Sequence, residues 1–283
     1  MQNAATRYHK DIAALDKNTS HHKLAARVPA GTSVLDVGCA CGDMGIFLKK
    51  TKQCRMTGIE YDEASLAIAA ASNAYDCLRQ ADLNSFVPLE HFPSASFDVL
   101  LFGDILEHLY DPQTVLGNFL PLLKEDGRVL ISLPNITHAS IITQLFLDKF
   151  EYMDFGILDR THIRFFTAEN IAQLLSNNGL EVCCCDHVIC DFTDLQDKKH
   201  FDKLSFLIAK SIKSLDHSFV FQYIIESQKS KNNSISESII REKLLTFSQE
   251  TYELIKNNKD NYSFPKIFWN KLKTYYQRKF KGK

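Results

Sequence analysis

Val34-Leu35-Asp36-Val37-Gly38-Cys39-Ala40-Cys41-Gly42 carries an apolar strand straight into a turn of small residues, and a helical pattern begins immediately after it. Small residues let a ligand approach the backbone, and a helix N-terminus presents N–H groups that lack intrahelical partners. The combination points to a nucleotide-like ligand held at a βα turn. A tight turn with no ligand uses the same small residues, so the flanking acids decide. Asp36 lies near the end of a buried strand, where a carboxylate is costly unless it is hydrogen-bonded. Glu60 closes the second apolar run, where an acid accepts hydrogen bonds from ribose hydroxyls. Asp82, in Ala81-Asp82-Leu83-Asn84, closes the third and suits an adenine amino group.

Outward from this turn, the stretch 32–209 alternates strand-like and helix-like runs, the pattern of βαβ units around a mostly parallel sheet. Strands are predicted at 33–37, 54–59, 77–81, 97–102 and 128–133. Their apolar character is continuous rather than alternating, as in parallel strands buried on both faces. Helices are predicted at 44–50, 63–73 and 112–123, and Gly127 turns the chain into the fifth strand. A helix at 169–178 ends at Gly179. The runs 180–189 and 204–209 then read as a closing antiparallel hairpin. The segment 227–236, rich in Ser, Lys and Asn, reads as a linker or exposed turn. Beyond it, Ile240, Leu244, Phe247, Thr251, Leu254 and Ile255 share one helical face.

A nicotinamide dinucleotide would also want an acid like Glu60. Its G-x-G-x-x-G fingerprint closes glycines on a pyrophosphate. Here the order is Gly38, Ala40, Gly42, Gly45, with Asp36 just before. An acid beside the ligand repels a pyrophosphate but suits an ammonium and a sulfonium. Three acids at three successive strand ends favour a cationic adenosyl ligand.

The segment Asp36–Gly42 resembles motif I of the class I S-adenosylmethionine-dependent methyltransferases. Glu60, Asp82, Phe97-Asp98-Val99-Leu100-Leu101-Phe102-Gly103-Asp104 and Leu123-Lys124-Glu125-Asp126-Gly127-Arg128 match the later motifs in order. Ala40 stands where the family usually has glycine. The resemblance implies an α/β, Rossmann-like, seven-stranded, mostly parallel sheet with helices on both faces and an antiparallel last strand. It implies S-adenosyl-L-methionine as cofactor, with Gly38 and Gly42 lining its methionine part and Asp36 and Cys39 also among the cofactor-binding residues. Glu60 would bind the ribose, and Tyr61 would lie against the adenine. Asp82 and Leu83 would meet the adenine edge, and Asp104 would face the cofactor from the fourth strand.

A narrower resemblance rests on four segments: Asn18-Thr19-Ser20-His21, Asp104-Ile105-Leu106-Glu107-His108-Leu109, Leu133-Pro134-Asn135, and Gly156-Ile157-Leu158-Asp159-Arg160-Thr161-His162-Ile163-Arg164-Phe165-Phe166-Thr167. This set is similar to a bacterial subgroup associated with cell-surface polysaccharide assembly, which implies a saccharide hydroxyl as acceptor. Methylation of a small non-sugar acceptor, such as a quinone precursor, stands as an alternative. So does a catalytically inactive cofactor-binding partner protein.

Methyl transfer is an in-line displacement, so the protein mainly aligns the acceptor and excludes water. A hydroxyl acceptor benefits from a general base, commonly histidine. His108, just past the fourth strand's C-terminal end, and His162, in a loop with Asp159, Arg160 and Arg164, are the two candidates. Each also has a structural reading, as a helix-ordering or loop-ordering group. His21 and His22 sit in an N-terminal segment that either closes over the cofactor as a lid or forms a solvated helix end capped by Ser20. No metal is expected.

The resulting division is an N-terminal helical lid segment at 1–31, a methyltransferase domain at 32–210 and a helical extension with a basic tail at 211–283. In that tail, 263–283 carries seven Lys and Arg and no acid, while Phe268, Leu272, Tyr275, Tyr276 and Phe280 share a helical face. Such a helix either lies on an anionic membrane surface or packs its aromatic face on the domain. The formal net charge of −1 sets up no field toward nucleic acid, so none is expected as partner. The partner is a small-molecule or glycan acceptor. The N-terminus lacks an apolar targeting core, and no apolar run reaches the roughly 18 residues that span a bilayer. The expected location is the cytoplasm, with the inner membrane face as the tail's alternative. The eight cysteines lack disulfide or zinc spacing and read as thiols in a reducing compartment.

Overall fold

The computed structural model describes residues 9–190, 204, 206–231, 235–248, 251–253 and 255–256. The apolar runs become strands β1 (Ser33–Val37), β2 (Arg55–Glu60), β3 (Cys77–Gln80), β4 (Phe97–Gly103), β5 (Leu123–Pro134), β6 (Leu180–Ile189) and β7 (Val220–Lys229). They form one seven-stranded sheet in the order β3-β2-β1-β4-β5-β7-β6. The first five strands pair in parallel, and β7 runs antiparallel to both β5 and β6. The helices are α1 (Ser20–Arg27), α2 (Asp43–Lys52), α3 (Glu63–Ala71), α4 (Pro112–Phe119), α5 (Ala139–Phe146), α6 (Ala168–Asn177), α7 (Phe206–Ser214) and α8 (Glu237–Leu245). None of the described helices is long and apolar enough to cross a membrane.

The pleat sorts each strand's apolar residues onto two faces. In β4, Leu100 and Phe102 join one buried cluster with Leu116 and Phe119 of α4, Ile171 and Leu175 of α6, and Ile240 and Leu244 of α8. Val99 and Leu101 join the other, with Leu24 of α1 and Leu48 of α2. Helices therefore cover both faces, which explains why the strands lack alternation. Start signals written in the sequence fix several helices. Thr19, Asp62 and Asp111 each accept a backbone N–H as N-cap. Thr167 and Asn170 complete a reciprocal capping box on α6.

Four sequence expectations are corrected. The last strand is not 204–209 but β7, and α7 covers most of the earlier stretch. Ala209 and Ile212, three residues apart, are both buried. The apolar run at 204–209 thus belonged to a helical period that its short length concealed. Consequently 227–229, read as part of a linker, pairs inside the sheet. The sheet therefore draws a strand from beyond residue 210, where the extension was placed. Finally, Thr19 rather than Ser20 caps α1. The single helical face expected over 240–255 is interrupted, because α8 ends at Leu245 with Thr246 as its C-cap. Leu254 and the tail 263–283 lie outside the described residues.

Candidate functional site

The strand order sets the C-terminal ends of β3, β2, β1 and β4 side by side. Asp82, Glu60, the small-residue turn and Asp104 thereby share one sheet edge, where open α/β sheets bind ligands. Gly38 (φ 79°), Ala40 (φ 46°) and Gly42 (φ 85°) all adopt the left-handed region. Glycine takes this conformation without strain, whereas Ala40 holds it at a cost of about 1 kcal/mol.

The turn's amides are satisfied internally. Gly38 N and Cys39 N donate to Ile59 O at 2.8 and 2.9 Å, and Gly42 N donates to Cys39 O at 2.8 Å. Ala40 N donates to Glu60 Oε2 at 2.8 Å. The other Glu60 oxygen accepts from Tyr61 N and Asp62 N at 2.9 and 2.8 Å. These amides are committed, so the turn does not offer them to a pyrophosphate. A carboxylate has about four acceptor sites, and three bonds to Glu60 leave room for one more donor, such as a ribose hydroxyl.

Asp36 is buried at 4% exposure and accepts a hydrogen bond from Tyr75 Oη at 2.7 Å. Burial raises its carboxyl to about 7, against the lowering effect of Tyr75, and the nearby Glu60 and Asp43 raise it further. Tyr75 was not legible as a site residue, because only the folded chain brings it under the turn. Its hydroxyl also accepts from Gly45 N at 3.2 Å. A Cβ on Gly45 would stand 2.3 Å from the Tyr75 ring, and one on Gly58 would stand 2.8 Å from both that ring and Cys39 Sγ. Gly45 and Gly58 thus make room for protein rather than ligand. Cys39 turns its thiol inward, and burial raises it above the usual thiol range.

The remaining strand-end groups are placed as follows. Asp82 is exposed and accepts from Asn84 N and Nδ2, both at 2.9 Å. Leu83 is buried at 7%. Tyr61 leaves its ring 70% exposed, a surface on which a planar base can lie. Asp104 has a left-handed φ of 54° and receives Ser20 Oγ from α1, Ser132 Oγ from β5 and Gln222 Nε2 from β7. It therefore ties the N-terminal helix to the sheet beside the turn. His21 lies next to this node, and its pKa is lowered by burial, with Asp104 opposing.

His108 and His162, 54 positions apart in the chain, meet edge-on with ring centroids 4.8 Å apart. His108 ends a short 3₁₀ turn, Leu106–His108. The loop carrying His162 is stitched onto that turn: Ile163 N and Arg164 N both donate to Glu107 O, at 2.9 and 3.0 Å. His108 Nδ1 donates to Thr161 O at 3.1 Å, and His162 Nδ1 donates to Ile157 O at 2.9 Å. A carbonyl only accepts, so each Nδ1 carries the hydrogen and each Nε2 carries a lone pair. Burial lowers the His108 pKa and His162 lowers it further, which favours the neutral form that a base needs. Glu107, not singled out in the sequence, completes the group. It is 1% exposed, and its Oε1 stands 3.9 Å from His162 Nε2.

The acids at this edge and the committed amides fit a cationic adenosyl ligand and not a dinucleotide. The family model for the methyltransferase domain matches residues 8–184. A probable S-adenosylmethionine-dependent methyltransferase of Mycolicibacterium smegmatis is 31% identical over 162 residues, which cover 57% of this chain and 56% of that protein. The match thus spans little more than half the length of that relative. A ubiquinone biosynthesis O-methyltransferase of Neisseria meningitidis is 28% identical over 185 residues, 58% of this chain and 74% of that protein. Among solved structures, a SAM-dependent methyltransferase from Archaeoglobus fulgidus aligns with TM-score 0.50 and 19% identity over 70% of this chain and 86% of its own. The cyclase SpnF aligns with TM-score 0.53 and 17% identity over 80% and 86%, so the same fold carries other chemistry. The fold, the turn and the match over more than half of its length agree, and the chain belongs to the S-adenosylmethionine-dependent methyltransferases.

Proposed function

We propose that the chain methylates a hydroxyl oxygen of a saccharide or glycoconjugate in cell-surface polysaccharide assembly. The observation that carries the O-methylation reading is the His108–His162 pair at the sheet's C-terminal edge. S-adenosyl-L-methionine supplies an activated methyl group on a sulfonium when bound. Asp36, Gly38, Cys39, Gly42, Glu60, Tyr61, Asp82, Leu83 and Asp104 form the cofactor side of the site. Glu60 takes the ribose, Tyr61 and Leu83 flank the adenine, and Asp82 accepts from its edge. His108 or His162 receives the acceptor's hydroxyl proton at Nε2. The sugar reading is supported by exposed apolar side chains on the segments that carry these rings. Tyr110 and Phe155, each 70% exposed, and Ile163, 41% exposed, lie on the segments that carry the two histidines. Such rings suit the C–H faces of a sugar. It is also supported by the sequence segments shared with the polysaccharide-associated subgroup.

The resemblance to the meningococcal enzyme supports a second reading, a small non-sugar acceptor such as a quinone precursor. Formation of S-adenosylhomocysteine in the presence of reducing saccharides, lipid-linked glycans and catechol-type phenols separates the two. Turnover with a saccharide supports the first reading, and turnover confined to phenols replaces it with the second. No turnover with any hydroxyl, despite cofactor binding, favours a partner protein without catalysis.

Cofactor affinity should depend on pH through Asp36. Its raised pKa makes a contribution to folding that is fully present below the ordinary value of 3.8 and is lost as pH rises through about 7. A cationic ligand gains from the carboxylate form. Binding should therefore tighten between about pH 6 and about pH 7.5, below the range where the cofactor's amino group titrates. Asp36→Asn should flatten this dependence. An unchanged slope in the variant assigns it to another group.

Peripheral membrane contact through 263–283 belongs to the same proposal, since a lipid-linked glycan lies at that surface. The full chain should sediment with anionic vesicles and be released by salt. A chain ending at 262 should stay in solution. Failure of the full chain to sediment at low salt removes the membrane contact.

A further inference from the structure

We propose that Glu107, His108 and His162 form a site for one divalent transition-metal cation of zinc's class. Each offers one ligand atom, and the three atoms lie within 4.8 Å of one another. In a tetrahedral zinc site, ligand atoms stand about 3.3 Å apart. Closing to that spacing requires a contraction of up to about 1.5 Å.

Three independent features point to a cation rather than to mutual hydrogen bonding. First, Glu107 Oε2 is buried and has no hydrogen-bond partner among the described residues. Burial, with Asp104 nearby, pushes this carboxyl well above the usual carboxylate range, so without a cation it keeps its proton, and a cation that displaces the proton would take the free oxygen as a ligand. Second, both histidines donate Nδ1–H to a backbone carbonyl, Thr161 O and Ile157 O. This is the outer-shell arrangement that fixes the tautomer and presents Nε2 to a metal. Third, among the described residues no lysine or arginine pairs with Glu107, whose ion-pair partner there is His162 at 3.9 Å. Two imidazoles and one carboxylate suit zinc, iron or nickel over magnesium or calcium, and three protein ligands leave a coordination position open. A cation there lowers the pKa of a hydroxyl that approaches it. The consequence for turnover rests on the O-methylation reading, but metal binding does not. The same Nε2 lone pairs cannot both hold a cation and take a proton, so the two assignments are alternatives at one place.

Metal-free full-length protein should bind one Zn²⁺ by calorimetry. Co²⁺ in its place should give a visible spectrum without thiolate charge transfer, because no cysteine is a ligand. Glu107→Gln and His162→Ala should each weaken Zn²⁺ binding by about 100-fold or more. Thermal unfolding without metal should leave Glu107→Gln about as stable as the parent, since a neutral amide replaces a buried carboxyl of the same size that already holds its proton. Should His162→Ala fail to fold, His162→Gln serves. Equal Zn²⁺ binding in parent and variants, a thiolate band with Co²⁺, or a preference for Mg²⁺ over Zn²⁺ overturns the site. If Zn²⁺ binds as described while no hydroxyl is methylated, the metal site stands and the acceptor reading falls. If hydroxyls are methylated undiminished by chelation and no Zn²⁺ binds, the metal site falls and the histidine base stands.

Discussion

Replacing His108 or His162 with alanine is expected to lower turnover by about 100-fold or more, the scale on which a positioned proton acceptor acts. The two substitutions should not add. The rings touch edge-on, and groups that act as a unit lose most of their effect when either is removed. Affinity for S-adenosyl-L-methionine should change little, because neither ring belongs to the turn or to the acids that the cofactor meets. Steady-state rates with a turned-over acceptor, set beside calorimetric cofactor binding, check both halves. Parent-like rates in both variants exclude the pair from proton transfer.

The second large effect is expected at Glu60. Its carboxylate accepts from Ala40, Tyr61 and Asp62 amides, so it shapes the turn in addition to its proposed role at the ribose. Glu60→Ala leaves those donors without their acceptor and removes the ribose contact. S-adenosylmethionine affinity should fall by about 1–3 kcal/mol, the range for an unpaired buried polar group. Glu60→Gln keeps the size but exchanges one acceptor oxygen for a donor, which faces an amide in either orientation, so it too should weaken binding. Calorimetry on both variants tests this, and parent-like affinity in Glu60→Ala would place the ribose elsewhere.

The fold and the cofactor edge were legible because their signals are local. An apolar run, a small-residue turn and an acid at each strand end lie within a few residues of one another, and the strand order only had to bring the ends together. Features that depend on distant parts of the chain were not legible. Tyr75 reaches Asp36 across 39 positions, and its ring accounts for Gly45 and Gly58. The strand β7 lies in the sheet between β5 and β6, yet its polar C-terminal end at Ser227-Gln228-Lys229 resembles a linker. Glu107 was hidden differently. It stands beside His108 in the sequence, but only burial without a partner distinguishes it from a surface acid. His108 and His162 were legible as separate candidates, while their contact required the loop after α5 to fold back onto the end of β4.

The most direct measurement is calorimetric titration of the full chain with S-adenosyl-L-methionine, S-adenosylhomocysteine and NAD. The turn with its committed amides, the acids of β1 and β2, and Asp82 just past β3 call for one adenosyl ligand per chain. S-adenosyl-L-methionine and S-adenosylhomocysteine should compete for one site, and NAD should not bind there. Absence of binding by both adenosyl ligands, or preference for NAD at the same site, would contradict the account.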